Sequence, residues 1–181
     1  VDAVARGKII YGNASGASAL LSPGGANSVL TSDGTDISWA APAGGGKILQ
    51  VVEATTTTEV STTSSSYVDT GLTGSITPSA TSSKILVLIS LSVNAAGGAA
   101  VSENKIVRTI GATATDKYVF SQICGDKGNY FLSVLDSPSS TSACVYKVQG
   151  FLTDQSGTVQ YQRNDGADIA RSVITLMEVG A

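Results

Sequence analysis

Any chemistry in this chain has to come from carboxylates, hydroxyls and two cysteines, because its 181 residues include no histidine. Without an imidazole, neither a Ser-His-Asp nor a Cys-His arrangement can be assembled. Cys124 and Cys144 fall on different expected strands, and neither has a partner at metal-site spacing. Two buried free thiols and a disulfide are both compatible with that placement. Asp33 and Asp36 in SDGTDIS, and Asp165 and Asp168 in RNDGADIAR, could offer oxygen ligands to calcium. Neither segment has the EF-hand spacing or its bidentate Glu, and Asp-Gly is first of all a turn former. Asp116, Asp126, Asp136 and Asp154 fall in expected turns, where a carboxylate is solvated and not paired for glycoside cleavage. Tyr67, Tyr118, Tyr130, Tyr146 and Tyr161 fall on strands, as core or interface residues. Asn13-Ala-Ser15 matches a glycosylation sequon, which matters only in a eukaryotic secretory protein. The sequence therefore assigns no catalytic residue, no metal ligand and no cofactor.

The elements that would position these residues are strands. Hydrophobic residues make up 42% of the chain and charged residues 14%, about half the usual charged share. With four Glu and seven Lys, surface helices lack their usual residues. Ser, Thr, Gly and β-branched residues fill the gap, which favours an all-β protein with a hydroxyl-rich surface. The net charge of −3 and eleven scattered Lys and Arg give no basic face, so no nucleic-acid partner is expected. No run of about 18 apolar residues is present, so no membrane insertion is expected either. VDAVARGK at the start lacks the charged-then-apolar order of a signal peptide.

Two segments of different character follow one another. Residues 1–46 are rich in Gly, Ala and Ser, with apolar residues single or in pairs, too few to form a core. Within them, ANSVLTSDGTDISWAAP (26–42) reads as a hairpin with the chain's one tryptophan, and PAGGGK (42–47) as a flexible joint. From Lys47 to Ala181, nine or ten short strands separated by turns are expected, a count and size that fit a jelly-roll-like antiparallel β-sandwich. In KILVLISLSV (84–93), Ile85, Val87, Ile89, Leu91 and Val93 form one apolar face, while the other begins with Leu86 and Leu88. In SVITLMEV (172–179), Val173, Thr175, Met177 and Val179 oppose Ile174 and Leu176. A solvated sheet face should be polar at alternate positions. Strands apolar on both faces expect a second cover, and a strand ending so near the last residue expects a central place in its sheet.

GGANSVLTSDGTDISWAAPAGGGK (24–47) resembles the short hairpin module that recurs in bacteriophage tail fibres and related appendages: a Val29-Leu30-Thr31-Ser32 strand, an Asp33-Gly34 turn, then a Trp39 strand leading into a Pro/Gly joint. SYVDTGLTGSITPSATSSKILVLISLSV (66–93) and SVITLMEVGA (172–181) are similar to C-terminal domains of virion proteins from marine phages of the cyanophage kind. The resemblance implies a virion appendage protein of tail-fibre or head-fibre type. It implies a homotrimer in which Leu30 and Trp39 of three hairpins pack around a threefold axis, with a head of tumour-necrosis-factor or C1q type architecture.

On that reading Leu30, Trp39, Leu86, Leu88, Ile174 and Leu176 line the trimer interface. Residues 1–46 form a stem ordered by neighbouring chains and joined to other virion proteins. Residues 47–181 form a head that binds a host-surface polysaccharide or protein receptor. Its outward loops would include the Ser/Thr run 55–66 and the turns at 95–101 and 125–128, with Asn94, Ser102, Asp126 and Lys127 as contacts. A capsid decoration protein that strengthens the phage head is the alternative, then a bacterial surface adhesin, and last an enzyme.

Overall fold

The computed structural model describes residues 4–42, 47–96, 100–124, 128–153, 157–166 and 170–180. The joint at 43–46 and the candidate residues Asp126 and Lys127 lie outside them, as do Asp154 and Asp168. The described residues form strands and turns, with no helix. The chain divides into two units, Val1–Gly44 and Gly45–Ala181.

The first unit holds two hairpins, not one. β1 (Ile9–Gly12) pairs with β2 (Ser18–Leu21), and β3 (Val29–Ser32) pairs with β4 (Ile37–Ala40). Both turn by the same device, a short side chain accepting from the backbone just ahead of it. Asn13 Oδ1 accepts from the amides of Ser15 (3.1 Å) and Ala17 (3.0 Å), and Asp33 Oδ1 from those of Thr35 (2.9 Å) and Asp36 (2.8 Å). These bonds are why Asp33 and Asp36 read as a turn and not as a calcium site. Leu30 lies opposite Trp39 in the ladder, and the indole Nε1 donates to the Ser22 carbonyl at 2.8 Å. Gly24 lies against that indole: a Cβ there would sit 2.7 Å from Trp39 Cγ. No described residue of this unit is buried.

Among the described residues, the second unit holds ten strands in two antiparallel sheets. β5 (Ile48–Thr56), β14 (Ser172–Val179), β8 (Lys84–Ala96), β13 (Thr158–Tyr161) and β6 (Val60–Thr62) lie in that order in the larger sheet, and β11 (Gly128–Asp136) adds to β8. The smaller sheet has the order β10 (Thr113–Cys124), β9 (Ala100–Ile110), β12 (Cys144–Leu152), β7 (Val68–Ile76). A sandwich accounts for this arrangement: the two inner faces bury Leu72, Ile85, Val87, Ile89, Ile106 and Val148 in one core. The alternation in β8 is as expected, with Ile85, Val87, Ile89, Leu91 and Val93 all inward. The last strand is central as expected, between β5 and β8.

Its faces are the reverse of the expectation. Ile174 and Leu176 are 0% exposed in the sandwich core, so neither presents a surface to another chain. The side chains that β14 turns outward are Val173, Thr175, Met177 and Val179. Close packing across the sandwich holds the register: a Cβ on Gly74 of β7 would approach Ile174 Cγ2 to 3.1 Å.

Cys144 is a free, buried thiol. It sits beside Ile110 at one end of β9, while Cys124 sits beside Ala100 at the other. Ten extended residues put the two about 33 Å apart, far beyond disulfide reach.

Candidate interaction surface

Outward residues of four neighbouring strands of the larger sheet meet in three ladder rows. One row runs Val51, Met177, Leu86, Leu135; the next Glu53, Thr175, Leu88, Ser133; the third Thr55, Val173, Ser90, Phe131. Period-two alternation puts them all on one face, and most are apolar. Val51 is 56% exposed, Leu135 55% and Phe131 79%, although each lies in a regular strand. Leu86 and Leu88, expected at an interface, are on this face and half-buried. A hollow of about 350 Å³ opens in it, lined by Leu88, Ser90, Phe131, Ser133, Val173 and Thr175.

The outer face of the smaller sheet is of the opposite character. Lys105 Nζ stands 4.2 Å from the centre of the Tyr67 ring, which meets Phe151 edge-on at 4.8 Å, and the Tyr67 hydroxyl donates to Glu103 Oε1 at 2.5 Å. Desolvation, then this bond to a carboxylate, raises the Tyr67 hydroxyl to about 12. Asp69 accepts from Lys147 Nζ (3.0 Å) and Gln149 Nε2 (2.6 Å). The outer face of the smaller sheet thus carries paired polar groups with Val119 and Val145 exposed among them, while the rows of the larger sheet hold seven apolar and five polar side chains.

Two buried carboxylates tie elements together. Asp136, expected in a solvated turn, ends β11 and is 4% exposed. It accepts from Lys117 Nζ at 2.8 Å, Arg108 Nη1 at 2.7 Å and the Tyr146 hydroxyl at 2.7 Å. Burial would raise its pKa, but Lys117, Tyr146 and Arg108 outweigh that and hold it below the usual range. Burial and this carboxylate push the Tyr146 hydroxyl up. A bulge in β10 between Asp116 and Tyr118 marks where Lys117 leaves the alternation. Glu178, 1% exposed, accepts from the Ser79 amide (2.7 Å), the Ser79 hydroxyl (2.6 Å) and Gln50 Nε2 (2.6 Å). Burial works against its ionised form, yet these donors hold it at about 2.

Of the expected receptor contacts, Asn94 and Ser102 are among the described residues, and both side chains are buried. β8 continues to Ala96 and β9 begins at Ala100, so the described ends of the expected loop 95–101 lie in strands, and 97–99 lie outside the described residues. Asn94 is 2% exposed and donates to Gln160 Oε1 at 2.8 Å. Ser102 is 0% exposed and accepts from Asn104 Nδ2 at 3.0 Å. Both polar side chains are spent on satisfying the interior. Among the described residues, no group of three His, Cys, Asp or Glu could hold a metal ion. Asp165 is paired with Arg163 Nε at 2.6 Å.

No protein-family model matches the chain, and no curated protein does. Among solved structures, a match is a chain from the structure of infectious bursal disease virus Gx strain, 8% identical with a TM-score of 0.39. The likeness covers 83% of this chain and 43% of the viral one, so this chain spans less than half the length of that protein.

Proposed function

We propose that this protein is a structural component of a phage particle: a homotrimeric appendage whose sandwich head binds the host surface and turns over no substrate. The observation that carries the reading is the bare apolar face of the larger sheet. Its three rows span four strands, about 14 Å, and about the same distance along them. With side-chain margins that is roughly 400 Å², in the range of the largest patch on a typical monomer, which is often functional. The hairpins point the same way. They carry Ile10, Leu20, Val29 and Leu30 at 41–47% exposure with no buried partner, and a lone two-stranded hairpin is marginal in water. Three copies would give both surfaces the cover that one chain lacks. The polar face is then left to the outside, where hydroxyl-, amide- and carboxylate-bearing groups suit a host polysaccharide.

The purified protein should sediment at three times the chain mass, adsorb to host cells and compete with infecting particles. A monomer at micromolar concentration overturns the trimer. Particles that lack the protein, adsorb normally and burst more readily would put it on the capsid shell instead.

A further inference from the structure

The ladder between β7 and β12 is interrupted once. From Thr73 to Asp69, β7 takes four steps while β12 takes two, from Lys147 to Gln149. Gly71 turns the extra length at a φ of 82°. Beside it, two carbonyls of β12 accept from side chains: Thr70 Oγ1 donates to Val148 O at 2.9 Å, and Thr73 Oγ1 to Tyr146 O at 3.3 Å. Bulges re-aim side chains and are over-represented beside active sites. This one opens a dimple of about 150 Å³ in the outer face of the smaller sheet, lined by Asp69, Gly71, Leu72, Thr73, Lys147 and Val148. That is roughly the volume of five waters, or the room of one hexose ring.

The charges at its mouth cancel. Asp69 is 58% exposed and Lys147 31%, and the ammonium lies 2.9 and 3.0 Å from the two carboxylate oxygens. Gln149 Nε2 donates to the same carboxylate at 2.6 Å. An exposed pair of this kind adds little to stability. What it does is hold a carboxylate with a spare lone pair beside an ammonium with a spare N–H, both in place before a ligand arrives. A site with no net charge suits neither an anion nor a cation. It suits two adjacent hydroxyls, one donating to the carboxylate and the next accepting from the ammonium, as the edge of a sugar ring presents them. We infer that this dimple is a subsite for one neutral sugar unit of a host polysaccharide, with Asp69 accepting from one ring hydroxyl and Lys147 donating to its neighbour. This rests on the host-binding reading above and adds which residues bind and what class of sugar they take.

The test is saturation-transfer NMR on the full chain, with glucose, galactose, mannose and rhamnose as probes and glucuronate and glucosamine as their charged counterparts. At least one neutral sugar should bind, and more tightly than either charged one. Asp69→Ala and Lys147→Ala should each weaken it by at least about tenfold, since each removes a hydrogen bond to a charged group. Asp116→Ala, which breaks the exposed Lys105 pair on the same face, should leave binding unchanged. Urea midpoints of all three variants should match wild type, which separates lost binding from lost fold. Adsorption of the wild-type protein to host cells is measured alongside. Wild-type protein that does not adsorb overturns the host-binding reading and the subsite with it. Protein that adsorbs but binds none of the neutral sugars, prefers a charged one, or binds as well without Asp69 overturns the subsite alone.

Discussion

Arg108 and Asp136 fasten the two sheets at one end of the sandwich: guanidinium Nη1 and carboxylate Oδ2 are 2.7 Å apart, one on β9 of the smaller sheet and the other closing β11 of the larger. Lys117 and Tyr146 hold the same carboxylate from β10 and β12. Among the described residues, Arg108 Nε is buried without a hydrogen-bond partner, a desolvation cost that the bonds of Nη1 have to offset.

Replacing Asp136 by Asn would leave two cations facing a neutral amide in a site that is almost dry. Removing one member of a buried ion pair typically costs 3–5 kcal/mol, and we expect about 3 here. Urea unfolding should show a lower midpoint with an unchanged slope. A wild-type midpoint would mean that the clasp contributes nothing.

Glu178 makes stability depend on acid. Its carboxyl sits at about 2 in the folded chain against 4.5 ordinarily, so the folded state favours the ionised form. That contribution is complete above pH 4.5 and is lost as pH falls towards 2. Glu178→Gln should therefore melt below wild type at pH 7, and the gap should shrink between those two values. A gap independent of pH would assign the effect to shape instead of charge.

Gly150 has no room for a side chain. A Cβ would collide with the Tyr161 hydroxyl and the Asn104 amide oxygen, which bond to each other at 2.8 Å in the core. Gly150→Ala should cost about 1–3 kcal/mol as an overpacked core site. Tyr161→Phe removes one of the two atoms in the way and frees the Asn104 amide to move, so the double variant should be more stable than the two single costs summed predict. Strict additivity, read from the same unfolding curves, would contradict this geometry.

The sandwich contains its own core, and the hairpin unit contains none. A chain beginning at Lys47 should keep the strand signature in circular dichroism and unfold cooperatively. A peptide of residues 1–42 should show neither on its own. Loss of cooperative unfolding in the truncated chain would show that the hairpins supply part of the head's stability.

Alternation makes β8 legible from the sequence alone: five apolar residues at every second position leave one inward face. β14 is ambiguous in sequence, because Val173 and Met177 are as apolar as Ile174 and Leu176. What decides between them is Gly74 and its neighbours across the sandwich, a contact about 100 residues away in sequence. Asn94, Ser102 and Asp136 depart from expectation for one shared reason. Polar residues near an expected turn look solvated, and their burial depends on partners such as Gln160, Asn104 and Arg108 that only the fold supplies. The first hairpin is hidden in the sequence because IIYG and SALL lack the Asp-Gly signal that marks the second.

The central place of β14 bears on how the protein is made. β5, the first strand of the sandwich to leave the ribosome, has its backbone ladder among the described residues with β14 alone, the last of the sandwich to leave it. Until residues 172–179 emerge, ILQVVEATT has no strand partner, and its Ile48, Leu49 and Val51 are available to any other chain on the same message. The larger sheet therefore closes only after every other strand of the sandwich has been made. Yield in a heterologous host should follow temperature and chaperone supply more closely than the stability of the finished fold.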